Sequence, residues 1–228
     1  MESLDRIQHI IDKSRSQSTL AADSPILLGA SKGQGAGMIE EFIRAGLTHY
    51  GENRVQEAME KWPELKKRHP HVTLHLIGPL QTNKVKEALV LFDVIQTLDR
   101  PKLAEAIAGE LKKKEEKSSV TQLLNSSIPQ FYIQVNTGEE AQKSGILPKE
   151  APELIRYCQH LGLNIAGLMC VPPAGQMPAP HFALLRKLAL DNGLQGLSMG
   201  MSNDYEAAIR MGSTCVRIGT ALFGERLR

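Results

Sequence analysis

The stretch Ile26-Leu27-Leu28-Gly29-Ala30-Ser31-Lys32 decides the fold. An apolar, strand-like run over 26–31 leads straight into a lysine, then a short glycine-rich loop, then a helical stretch. The same order recurs along the chain. Further strand-like runs fall at 48–52, 73–78, 93–98, 131–136, 165–170, 196–201 and 215–219. The segments between them are amphipathic: Leu103, Ala104, Ile107, Ala108 and Leu111 recur at intervals of three and four, which puts them on one helical face. Strand-helix alternation of this kind predicts a parallel sheet.

The chain has 228 residues, and eight units leave about 28 residues each, enough for a short strand, a helix and two short connections. Eight such units close into a (β/α)8 TIM barrel, and a doubly wound open sheet is the competing arrangement. An extra N-terminal helix over 3–20, with Leu4, Ile7, Ile10 and Ile11 on one side, takes up the remainder. The expectation is a single α/β domain over 1–228.

Composition narrows the function classes. With 42% hydrophobic and 23% charged residues, the chain is neither disordered nor fibrous. Its 27 Lys and Arg nearly cancel 25 Asp and Glu, and only 4% of residues are aromatic, which argues against a nucleic-acid binder. Cys158, Cys170 and Cys215 are odd in number and unpaired in spacing, so they read as reduced thiols rather than a disulfide or zinc framework. Glu2, Asp5 and Asp12 interrupt the N-terminus, leaving no signal-peptide pattern, and nowhere do 18 apolar residues follow one another. A cytoplasmic protein with no membrane segment and no metal site is expected, and the sequon at Asn125 reads as a chance match. The run Lys112 to Lys117 reads as a solvated helix end. The proline-punctuated segment 171–180 is either a cover over the barrel mouth or an ordinary surface loop.

In such barrels the chemistry sits at the C-terminal strand ends. Here those ends carry Lys32, Glu52 with Asn53, Asp99, Asn136, Ser198 to Ser202, and Gly219 with Thr220. A lysine pointing into the mouth loses hydration, which disfavours its ammonium form and frees the amine for a Schiff base with a carbonyl compound. The alternatives are a solvated rim lysine or one paired with Glu52. The run Gly33-Gln34-Gly35-Ala36-Gly37 lacks the third glycine of the dinucleotide fingerprint, and the chain has no Gly-Lys-Ser/Thr, so it reads as a flexible βα loop. Ser198 to Asp204 and Arg217 to Ala221 look like anion-binding turns, with helices beginning near Asn203 and Thr220. Asn203 with Glu206 also fits a capping box. An amine on strand one and a phosphate cup on strands seven and eight suggest a ligand with both an aldehyde and a phosphate, and pyridoxal 5′-phosphate has both. Arg217 near its pyridine nitrogen would leave that nitrogen unprotonated, weakening the ring as an electron sink.

The residues that carry these features resemble the pyridoxal phosphate homeostasis proteins, which look like the N-terminal barrel of alanine racemase standing alone. The matching segments are Ala30 to Lys32, Tyr50 to Glu57, Ile77 to Lys84, Lys143 to Gly145, Gly167 to Met169, Ser198 to Ala208 and Val216 to Gly224. The resemblance implies an internal aldimine on Lys32, phosphate contacts from Ser202, Gly219 and Thr220 beside Ser198, Arg217 facing the ring nitrogen, and Asn53 lining the pocket near the ring. It also implies that Gly78 to Lys84 lies by the mouth. Members of this family are regarded as carriers or buffers of the cofactor that influence vitamin B6 and amino-acid balance, with no established catalytic residue. The chain departs from the family at Pro79, where His is usual, and in the glycine-rich run after Lys32, where Thr and then Pro are usual. A pyridoxal phosphate-dependent amino-acid racemase is the alternative, but its second base comes from a β-domain that this length leaves no room for. Within the barrel His75 and Tyr205 are among the candidates to substitute, although a structural role suits each of them better. A cofactor-free Schiff-base aldolase is a third reading. Apo-enzymes that use the cofactor are the implied recipients, and a monomer, or else a weak dimer, is the expected assembly.

Overall fold

Eight short strands, β1 (Ile26–Ala30), β2 (His49–Glu52), β3 (Thr73–Leu76), β4 (Val94–Leu98), β5 (Gln130–Val135), β6 (Ile165–Cys170), β7 (Gly196–Met201) and β8 (Cys215–Ile218), run parallel in sequence order. β8 returns to pair with β1 through Leu28 and Arg217, so the barrel is closed and the open-sheet alternative is excluded. The computed structural model describes residues 2–117 and 128–224. The sequon at Asn125, residues 118 and 119 and the Lys117 side chain lie outside what it describes.

The helices are α1 (Glu2–Ser16), α2 (Ala36–Arg44), α3 (Val55–Arg68), α4 (Val85–Leu91), α5 (Pro101–Lys117), α6 (Ala151–His160), α7 (Pro178–Asp191), α8 (Tyr205–Arg210) and α9 (Thr220–Phe223). Helix α1 packs on α8 and α9, burying Leu4, Ile7 and Ile11. It ends at Ser16, short of the expected 20, because tertiary bonds turn the chain away: Ser18 Oγ donates to the Arg210 carbonyl at 2.7 Å and Arg15 to the Asp23 carbonyl at 2.6 Å. The capping box at Asn203 does not form. Helix α8 starts at Tyr205 behind Asp204, whose Oδ1 accepts the Met201 N–H at 2.6 Å, while Glu206 pairs with Arg210 along the helix.

The strand period of two divides the buried residues between two compartments. Leu74, Leu76, Leu197, Met199, Val216 and Ile218 join the main core between barrel and helices. Their neighbours His75, Ser198, Cys215 and Arg217 point the other way, into the barrel, where Val94, Tyr132 and Met169 form a separate small apolar cluster. A barrel of this kind is ordinarily filled by branched aliphatic side chains. Here much of the interior is polar.

Candidate functional site

The C-terminal end of the barrel holds a cavity of about 730 Å3. Lys32 reaches it from the end of β1, Asn53 from β2, Ser202 and Asn203 from the turn after β7, and Arg217, Gly219 and Thr220 from β8 and the start of α9. Closure of the barrel makes β1 and β8 neighbours, so the lysine stands beside the β8 turn rather than across the mouth from it. Residues 171–176 and Pro178 also line the cavity, so the proline-rich connection covers the mouth.

A buried ion-pair cluster holds Lys32 in place. Glu52 is fully buried, and its Oε1 accepts from Ser31 Oγ at 2.6 Å, Trp62 Nε1 at 2.9 Å and Lys61 Nζ at 2.9 Å. Lys61 also donates to the carbonyls of Ser31 (3.1 Å) and Gln34 (3.2 Å) and to Glu57 Oε1 (3.0 Å). Glu57 Oε1 in turn accepts the Gly33 N–H at 2.6 Å. Burial works against the Glu57 carboxylate, but the Gly33 and Lys61 hydrogen bonds hold its pKa below the usual range. The run after Lys32 is therefore tied at Gly33 and Gln34, not the flexible loop its composition suggests. Gly33 adopts a φ of 72°, a region where glycine carries no Cβ penalty. Lys32 itself is half-buried. Its amine has no hydrogen-bond or ion-pair partner among the described residues, and Glu52, the alternative partner, is taken by Lys61.

Arg217 is 5% exposed. It donates to Ser198 Oγ at 2.6 Å and to the Cys170 carbonyl at 2.8 Å, and burial lowers the pKa of the guanidinium. Ser198 does not line the cavity: it is fully buried in the barrel and its hydroxyl is engaged by Arg217 and by Gln96 Oε1. Among the other strand-end residues, Asn136 braces its own loop, bonding the Glu140 carbonyl at 2.8 Å, and Asp99 pairs with Arg100 at 2.5 Å. Pro79 is exposed, and residues 78–84 do not line the cavity. Gly78 instead abuts Asn53, where a Cβ would stand 2.1 Å from the backbone oxygen.

His75 and Tyr205 are buried and do not line the cavity. The thiols beside Arg217 do not offer a nucleophile either. Burial pushes Cys170 up to about 12 and raises Cys215 as well. Sequence reasoning passed over Lys61, Trp62 and Gln96, which act through tertiary contacts. Lys143, within a matched segment, lines the cavity and pairs with Glu140 at 2.6 Å.

The cavity suits a molecule with an aldehyde and an anionic arm. It has one unpartnered amine, and the hydroxyls of Ser202 and Thr220 have no protein partner among the described residues. Asn53 Oδ1 is buried without a hydrogen bond, an acceptor left over by the protein itself.

Residues 3–227 match the family described as alanine racemase, N-terminal domain. A pyridoxal phosphate homeostasis protein of Aquifex aeolicus is 40% identical, covering 99% of this chain and 97% of that protein. One from Pseudomonas aeruginosa is 41% identical over 88% of this chain and 84% of its own length. The solved structure of PipY from Synechococcus elongatus with pyridoxal phosphate bound has a TM-score of 0.74 at 31% identity, covering 94% of this chain and all of that one. Alanine racemase of Clostridium difficile, at 14% identity and a TM-score of 0.68, shares the fold over 57% of its chain. On the full-length matches the chain belongs to the pyridoxal phosphate homeostasis proteins, within the alanine racemase N-terminal domain family.

Proposed function

We propose that this chain binds pyridoxal 5′-phosphate and works as a noncatalytic carrier of the cofactor in vitamin B6 and amino-acid balance. The observation that carries the reading is the convergence of Lys32, Arg217 and the Ser202, Gly219 and Thr220 turns on one cavity. The cofactor brings an aldehyde that condenses with amines and a ring that can draw off electrons. Lys32 supplies the amine, and its half-buried position at a strand end favours covalent attachment with loss of water. Ser202, Thr220 and the Gly219 backbone receive the phosphate. Arg217 offers the ring nitrogen a donor that keeps its own proton. Ser198, out of reach of the cavity, acts on the cofactor only through Arg217.

The noncatalytic part of the reading is supported by the two candidate bases, His75 and Tyr205, both buried away from the cavity. The reading includes a single barrel unit acting as a monomer in the cytoplasm and passing cofactor to apo-enzymes. Three buried free thiols accord with a reducing compartment, and among the described residues no helix is long and apolar enough to cross a membrane.

Absorbance spectroscopy of the protein with added cofactor, followed by borohydride reduction and mass analysis, tests the reading. A visible band and a pyridoxyl adduct on Lys32, both lost in Lys32→Ala, are expected. Protein that stays colourless and unmodified in excess cofactor refutes it. Amino-acid turnover that follows the cofactor and vanishes in Lys32→Ala refutes the noncatalytic part.

A further inference from the structure

The polar side chains inside the barrel form one continuous chain. It starts at Arg217, by the cavity, and passes to Ser198 Oγ at 2.6 Å and Gln96 Oε1 at 2.6 Å. From Gln96 Nε2 it continues to His75 Nδ1 at 3.0 Å, and from His75 Nε2 to His49 Nδ1 at 3.0 Å. His49 is the first residue of β2, half-buried in a groove with Asp5 and Gln8 at the opposite end of the barrel.

The chain has a direction set by elementary hydrogen-bond chemistry. A guanidinium only donates, so Ser198 Oγ accepts from it and its single hydrogen goes on to Gln96 Oε1. The Gln96 amide group then faces His75 and donates to Nδ1, which must carry no proton. His75 is left with its proton on Nε2, where it donates to His49 Nδ1. Run the other way, with Gln96 donating to Ser198, the serine hydrogen is left with only the Cys215 thiol, a weak acceptor, and Gln96 gives up its own Nε2 contact to that sulfur at 3.9 Å. In a buried interior that loss is costly, which selects the outward direction.

We propose that Ser198 and Gln96 are positioning residues, forming a one-way relay that holds Arg217 in the cavity and ties its orientation to the tautomers of His75 and His49. For its effect on the cofactor the relay rests on the pyridoxal phosphate reading, but its direction can be tested without cofactor.

Long-range 1H–15N NMR of the cofactor-free, 15N-labelled protein should show His75 protonated on Nε2 and bare on Nδ1. Gln96→Glu, nearly isosteric, puts a second acceptor oxygen against Nδ1, and there the proton should appear. Wild-type protein with His75 protonated on Nδ1 overturns the relay whether or not the variant folds. So does a folded Gln96→Glu variant with an unchanged His75. In Ser198→Ala loaded with pyridoxal phosphate, loss of the acceptor under Arg217 should speed cofactor release about tenfold, the scale of one hydrogen bond. Release at the wild-type rate with an unshifted visible band overturns the positioning role. Failure of wild-type protein to take up cofactor would count against the binding reading alone, since the tautomer measurement stands apart from it.

Discussion

Replacing Lys61 by Met isolates the cluster beneath Lys32. The substitution keeps the length of the side chain and removes an ammonium that is 11% exposed and bonded to Glu52, Glu57 and the carbonyls of Ser31 and Gln34. Glu52 retains its Ser31 and Trp62 hydrogen bonds but becomes an uncompensated buried carboxylate. Breaking a buried pair from one side costs about 3–5 kcal/mol, which for a chain of this size lowers Tm by about 6–20 °C. Glu52→Gln keeps an acceptor for Ser31 and Trp62 and leaves Lys61 its Glu57 and carbonyl partners, so about 1–2 kcal/mol is expected. In the double variant Met faces a neutral amide. The two losses should then fall short of additive by about 2 kcal/mol, measured by urea unfolding of all four proteins. Hydrogen exchange at the Gly33 amide should also speed up in Lys61→Met, because the Glu57 that accepts its N–H loses its own anchor. Additive losses, or a Gly33 amide as protected as in wild type, would refute the idea that this pair ties down the lysine loop.

Two further outcomes follow from the interior. Burial lowers the His75 pKa to about 3, against 6.5 in a free chain, with His49 adding to the effect. Between those values the unfolded chain binds a proton that the folded one does not, so His75 makes stability fall as pH drops below 6.5, by up to about 1.4 kcal/mol per unit. A His75→Asn variant should lose that part of the slope in unfolding titrations from pH 7 to 4, and parallel slopes would show that His75 ionises normally in the fold. Gly200 has a φ of 94°, and an added Cβ would stand 2.5 Å from Ala208 Cβ. Gly200→Ala should therefore cost on the order of 1–3 kcal/mol and displace the Ser202 turn, weakening phosphate-bearing ligands more than it weakens pyridoxal; equal losses for both would separate the turn from the phosphate.

The sequence by itself determined the eight parallel strand-helix units. Apolar runs at near-regular intervals call for helices packed on short parallel strands, and the observed strands lie within a residue or two of the runs read from the chain, but the β8–β1 pairing decided between the closed barrel and the open sheet. It also placed Lys32, Asn53, Ser202, Arg217, Gly219 and Thr220 at strand ends, because which end of a strand a residue occupies is a local property.

What only the tertiary structure decided is which of those residues share a cavity and what holds them. Ser198 and Ser202 lie four positions apart in similar company, yet Ser198 sits within β7 and is buried in the barrel, while Ser202 falls in the turn after the strand and is left at the cavity. Glu52 resembles a partner for Lys32 in sequence, but it belongs to Lys61, a helical residue carried to it by the packing of α3 on the barrel. The relay from Arg217 to His49 joins five strands. His75, Ser198 and Arg217 alternate with apolar neighbours, and nothing in that local pattern records which buried side chains face each other once the sheet closes. Closure brings distant strands within hydrogen-bond reach, and the cost of leaving any of these groups unpaired then fixes how they connect.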